Sequence, residues 1–281
     1  MPGLAVAAVT SSDAPPPSRW LVFLHGILGS GANWRTFARQ IVAARPSFGA
    51  LLVDLRLHGD SLAFEPPHTV ESAARDVVEE LPRVGAGAPV RAVLGHSFGG
   101  KVAIELARQL AESSNGPLDD LFVVDSTPSA RPDHRGSSNV RDVVELLRAL
   151  PAEFPDRDAF VEWVEARGVS RPTAMWLAMN VRPVPNTTYF RLRLDVGPIR
   201  AMMEDYFLRD VWHVLEHPPG SMRSHLVVGG RSEVVDPTDV ARARACPRAT
   251  VDVIPDAGHW VHVDAPDALR ELVLAYLDRS C

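Results

Sequence analysis

Val93-Leu94-Gly95-His96-Ser97-Phe98-Gly99-Gly100-Lys101 carries Gly-x-Ser-x-Gly, with Ser97 at its centre. An apolar run, Val90 to Leu94, leads in, and a helical pattern, Lys101 to Leu110, leads out. The five-residue pattern alone is weak, because short motifs recur by chance; its strand–turn–helix setting makes it specific. In that setting the chain turns sharply at the serine and presents its hydroxyl at the carboxyl edge of a sheet, the arrangement called a nucleophile elbow. Gly95 and Gly99 leave room for strand and helix to pass close together.

The flanking sequence repeats the alternation. Leu21 to Leu24, Ala50 to Val53 and Leu121 to Val124 are short, continuous apolar runs, as expected of strands buried on both faces. Helical patterns lie between them, at Trp34 to Ala44 and Val70 to Leu81. Leu4 to Val9 reads as an edge strand before Pro15-Pro16-Pro17. The predicted fold is α/β, with a mostly parallel, doubly wound sheet. From Pro128 to Arg223 the strand pattern disappears, and helices are expected at Val140 to Leu150, Arg157 to Arg167, Pro172 to Val181 and Ile199 to Leu215. The sheet pattern returns at His225 to Gly230 and Thr250 to Ile254, and a last helix runs from Asp267 to Leu277. The expected organisation is a core of residues 1–127 and 224–281, with a helical cap inserted over residues 128–223.

Ligands of such sheets sit outside the carboxyl ends of the strands. Those loops hold His25-Gly26, Ser97, Asp125 and, late in the chain, His259. A serine hydroxyl needs a base to take its proton, and His259, directly after the last strand, is the candidate. The base needs an acid to fix its tautomer. Asp125, closing a buried strand, is favoured; Glu233 after Gly229-Gly230 is the alternative, with Asp236 behind it. The N–H groups of Phe98 and Ile27 are the expected oxyanion donors, with Leu28 the neighbouring candidate. His25 reads as a brace for its loop and His96 as a wall beside the nucleophile. Both are also candidate pocket residues, together with Leu28, Trp163, Trp176 and Trp260. His262 reads as packing. Arg56, His58, Asp60 and Ser61 read as a network stabilising a turn.

The 281 residues are 46% hydrophobic and 23% charged, with a formal net charge of −6, values of an ordinary globular protein. No basic stripe is present, so nucleic acid is not an expected partner. The two cysteines, Cys246 and Cys281, suggest neither a disulfide framework nor a metal site, and a reducing compartment is the default. No apolar run has the length of a transmembrane helix, and the first residues lack the features of a secretory signal. The expectation is a soluble intracellular protein, cytoplasmic or organellar (chloroplast or mitochondrial), and not secreted. His213-Val214-Leu215-Glu216-His217 matches a zinc pattern, but no third ligand is evident. Gly95 to Lys101 lacks the Ser/Thr that would complete a phosphate-binding loop. No metal and no cofactor are expected.

Together these stretches resemble one branch of the α/β-hydrolases, the group of α/β-hydrolase domain-containing protein 11 and related small bacterial esterases. The resemblance rests on His25-Gly26-Ile27-Leu28-Gly29-Ser30 with Asn33-Trp34, Asp54 to Ser61, Gly95 to Lys101, Val124 to Pro128, Phe190 to Leu194, Gly229 to Ser232 and Ala257 to His262. It implies a serine esterase or thioesterase acting on short- to medium-chain acyl groups, with the acid at Asp125. This chain departs from the pattern by carrying Glu233 beside Ser232, which keeps Glu233 in contention. A carbon–carbon bond hydrolase, a cofactor-free haloperoxidase or a small-molecule receptor could be built on the same three residues.

Overall fold

The apolar runs at 21–24, 50–53, 90–94 and 121–124 become the centre of a seven-stranded sheet in a computed structural model that describes residues 3–85, 87–133 and 138–278. Its strands are β1 (Val6–Val9), β2 (Arg19–Leu24), β3 (Phe48–Val53), β4 (Val90–His96), β5 (Asp120–Val124), β8 (Arg223–Gly229) and β9 (Ala249–Ile254); β6 (Val181–Pro183) and β7 (Phe190–Leu192) form a separate antiparallel hairpin. The helices are α1 (Arg35–Ala44), α2 (Val70–Val84), α3 (Phe98–Ala111), α4 (Ser138–Arg148), α5 (Arg157–Glu165), α6 (Arg171–Leu177), α7 (Val196–Leu208), α8 (Trp212–Glu216), α9 (Pro237–Ala245), α10 (Val261–Asp264) and α11 (Pro266–Leu277). Strand order is β1-β3-β2-β4-β5-β8-β9. Only β1 runs antiparallel to its neighbour, so the carboxyl ends of the other six strands share one edge.

Alternation along each strand feeds two cores. Leu21 and Phe23 of β2 face the side covered by α1 and α11, with Phe37, Ile41, Leu269 and Val273. Val22 and Leu24 face the side covered by α2 and α3, with Ala74, Val77, Val102 and Leu106. Burial on both faces removes every exposed position, which is why these strands read as unbroken apolar runs. Thr69 starts α2 by accepting the Ser72 N–H.

Residues 128–222 add no strand to this sheet, although β5 and β8, which flank them in sequence, are hydrogen-bonded neighbours; the expected boundary at 223 falls one residue inside β8. Two expectations there need correction. The helix expected over 199–215 is two helices, α7 and α8, separated by an extended Arg209. The break frees the Tyr206 and Arg209 carbonyls, which accept hydrogen bonds from Lys101 Nζ at 2.6 and 2.7 Å; Ser129 O accepts a third at 2.8 Å. Lys101 is wholly buried, and it fastens α3 to the segment between β5 and β8. The helix expected to reach Val181 ends at Leu177 in a 3₁₀ turn, Ala178–Asn180, and Val181 starts the β6–β7 hairpin. That hairpin and α9 have no counterpart among the expected elements: three-residue strands leave no periodicity, and α9 is largely polar. Cys246 is buried, and Cys281 lies outside the described residues.

Candidate active site

The elbow is built from close approaches. A Cβ on Gly95 would lie 2.0 Å from Gly99 O, and one on Gly99 would lie 2.6 Å from His25 O. Without side chains there, α3 leaves β4 at once, and Ser97 is held at φ 54°, a conformation rare for any residue but glycine. The Ser97 N–H is anchored on Val124 O at 3.0 Å. Its side chain opens into a cavity of about 430 Å³ whose wall includes Ile27, Phe98, Trp176, Met203, Tyr206 and Trp260.

Three carboxyl-edge loops meet at Ser97. From the loop after β9, His259 Nε2 lies 3.1 Å from Ser97 Oγ. Its Nδ1–H donates to Asp125 Oδ2 at 2.7 Å. Asp125 follows β5, is completely buried, and also adopts a positive φ, 44°. Its Oδ1 accepts the Gly229 N–H at 3.0 Å, and Oδ2 additionally accepts the Ser232 hydroxyl at 2.5 Å. Of the candidate acids, Asp125 is the one hydrogen-bonded to the imidazole. Glu233 lies exposed on the cavity rim, and no hydrogen bond joins it to His259 among the described residues. Asp236 instead caps α9 through the Asp239 N–H, at 2.9 Å, and pairs with Arg131 at 2.7 Å.

The His25–Ser30 loop closes the other side of Ser97. A Cβ on Gly26 would lie 3.3 Å from Ser97 Cβ. Three successive N–H groups in this loop have different fates. Gly29 N–H bonds Gly26 O at 3.0 Å, and Leu28 N–H bonds His58 Nε2 at 3.0 Å. Ile27 N–H has no hydrogen-bond partner among the described residues. The Leu28 N–H is thus already engaged, and its residue lines the cavity. Phe98 N–H is the first of α3, one of the donors a helix leaves unpaired at its start.

The histidines around the site divide by role. His25 does not line the cavity: it is buried, donates from Nδ1 to Gly26 O at 2.8 Å, and accepts the Leu55 N–H on Nε2 at 3.0 Å. His58 mirrors it from the opposite loop, donating to Arg56 O at 2.9 Å and accepting Leu28 N–H. Burial pushes His25 down to about 4. Burial, aided by the nearby His25, pushes His58 down to about 3. Both rings therefore stay neutral, as their acceptor nitrogens require. His96 lines the cavity and donates from Nε2 to His259 O at 2.8 Å, holding the backbone of the base. Its burial, and then the charges of His259 and His262, keep it well below the ordinary histidine range.

Trp176 and Trp260 line the cavity with ring centroids 4.6 Å apart. Trp163 does not: it packs on Phe154 and lies under the Arg167 guanidinium, 3.4 Å from the ring centroid. Helical spacing of this kind more often marks packing than a pocket wall. Glu216 of the zinc-like pattern is ion-paired to Arg242 at 2.8 Å. Among the described residues, no helix is long and apolar enough to cross a membrane.

The sequence model of the α/β-hydrolase family matches residues 21–272. The sn-1-specific diacylglycerol lipase ABHD11 of Mus musculus is 29% identical, over 94% of this chain and 82% of its own. A putative esterase/lipase of Haemophilus influenzae is 23% identical, over 92% of this chain and 83% of its own. The solved structure of a marine microorganism esterase superposes with a TM-score of 0.80 at 20% identity, covering 98% of this chain and 100% of that one.

Proposed function

This chain belongs to the α/β-hydrolase family, and on that premise we propose that it is a serine carboxylesterase or thioesterase for short- to medium-chain acyl groups. The observation that carries the reading is the unbroken relay from Ser97 Oγ through His259 to a buried Asp125, opening into an apolar cavity. The names of the lipase and esterase relatives agree with it.

In this reading His259 takes the Ser97 proton as Oγ attacks the acyl carbonyl. Ile27 and Phe98 N–H groups receive the oxyanion, each donor worth about 3 kcal/mol in the transition state. His259 then protonates the leaving alcohol or thiol. Water, activated by the same imidazole, releases the acid and restores Ser97. Asp125 holds the ring in the tautomer with hydrogen on Nδ1 and stabilises the imidazolium. Residues 128–223 act as a cap: Trp176, Met203, Tyr206 and Phe207 supply apolar wall, and the acyl chain lies against them.

The test is Ser97→Ala. Turnover of a panel of acyl esters and thioesters of increasing chain length is expected to vanish, together with labelling by a fluorophosphonate probe. Stoichiometric labelling of the variant would overturn the assignment.

A further inference from the structure

The turn that presents the Ile27 N–H is closed by the bond from Gly29 N–H to Gly26 O, so Ile27 and Leu28 are its central residues. Leu28, the second of them, has φ 64°. That position of a turn ordinarily selects glycine or asparagine when φ is positive, because a β-carbon crowds the backbone there. A leucine in it has to be held from outside.

Two side chains hold it, from opposite parts of the molecule. His58, in the loop after β3, accepts the Leu28 N–H. Asn180, in the inserted segment, donates its Nδ2–H to the Leu28 carbonyl at 2.8 Å, and it is buried at 8% exposure. Asn180 is itself fixed, since its own carbonyl accepts the Arg193 N–H at 3.0 Å. Arg193 in turn pairs with Asp60 at 2.7 Å, in the turn that also contains His58. Four residues before Asn180, Trp176 lines the cavity.

We propose that Asn180 is a positioning residue for the oxyanion donor at Ile27, acting through the Leu28 carbonyl, so that the donor is in register only while this part of the inserted segment is seated. The assignment of Ile27 rests on the esterase reading; the brace itself does not. An oxyanion donor has to sit within about 0.5 Å of its working position to be effective. A turn strained at Leu28 and released on one side relaxes away from it.

The experiment compares wild type with Asn180→Leu, close in size but without a donor, and Asn180→Asp, which keeps shape and polarity but loses the N–H. Melting temperatures identify which variants fold. On a short-chain p-nitrophenyl ester, kcat is expected to fall about 10- to 100-fold with KM changed less than about threefold. Affinity for a trifluoromethyl ketone, which mimics the tetrahedral adduct, falls in parallel with kcat. Amide hydrogen exchange over residues 27–29 is expected to accelerate in both variants. A folded variant with wild-type kcat and wild-type exchange would overturn the proposal, as would a loss confined to KM. If the wild type has no ester turnover, the esterase reading fails, and the exchange measurement still decides whether Asn180 braces the turn.

Discussion

Ser232 donates its hydroxyl hydrogen to Asp125 Oδ2, the same oxygen that bonds His259 Nδ1. The residue beside it, Glu233, is exposed on the cavity rim. The loop after β8 therefore supplies Asp125 with a hydrogen-bond donor, and no hydrogen bond joins Glu233 to His259 among the described residues. Together with the Gly229 N–H, three donors converge on one buried carboxylate and fix its plane.

Three variants separate these roles. Asp125→Asn is expected to lower kcat by about 10⁴-fold, through the wrong imidazole tautomer. Ser232→Ala leaves the relay intact but removes one of its supports, and about a tenfold loss is expected, equivalent to about 1.4 kcal/mol. Glu233→Gln should stay within about twofold of wild type, since mutations away from the relay change the barrier little. Steady-state kinetics on one ester decides the order; Glu233→Gln falling below Asp125→Asn would reverse it.

The Lys101 clamp gives a stability prediction. Lys101→Met removes the donor for three carbonyls, those of Ser129, Tyr206 and Arg209. Unsatisfied buried acceptors cost about 1–3 kcal/mol each. With one of them relaxing toward other donors, a net loss of about 3 kcal/mol is expected, or about 6–12 °C in Tm for a chain of this size. Calorimetry measures it, and an unchanged Tm would mean that α3 and the inserted segment are held by apolar packing alone.

The buried histidines predict how stability depends on pH. His25 and His262 lie near 4 and His58 near 3, all lowered first by burial. In the unfolded chain they titrate at about 6.5, so on acidification it takes up protons that the folded protein refuses. Stability is fully present above about pH 6.5 and declines as pH falls toward 4. Each histidine contributes about 1.4 kcal/mol per pH unit within that window. Urea midpoints between pH 7 and 4.5 trace the slope. His58→Gln is expected to weaken the fold at pH 7 and make the slope shallower; an unaltered slope would remove His58 from the account.

Ser97 and His259 are legible as candidates because each follows a strand that the sequence pattern marks, β4 and β9. The acid was harder to read. Asp125 and Glu233 both follow predicted strands, and only the three-dimensional arrangement, with Asp125 held at φ 44° against the imidazole and Glu233 exposed on the cavity rim, distinguishes them. The His25–His58 exchange of acceptors joins loops thirty residues apart and leaves no periodic trace. Trp163 and Trp176 share the same helical context, and only the packing of α5 and α6 separates core from cavity wall. Asn180 was invisible for a related reason, since nothing near it in sequence points to a carbonyl 152 residues away.

Lys101 has a consequence for chemical handling. It is the only lysine in the chain, every other basic residue besides histidine being arginine, and none of its surface is exposed. The folded molecule thus offers no side-chain amine to amine-directed crosslinkers, aldehyde supports or lysine-conjugating enzymes. A reagent that finds position 101 reports that the elbow helix and the segment above it have parted, so one acylation event serves as a built-in footprint of opening.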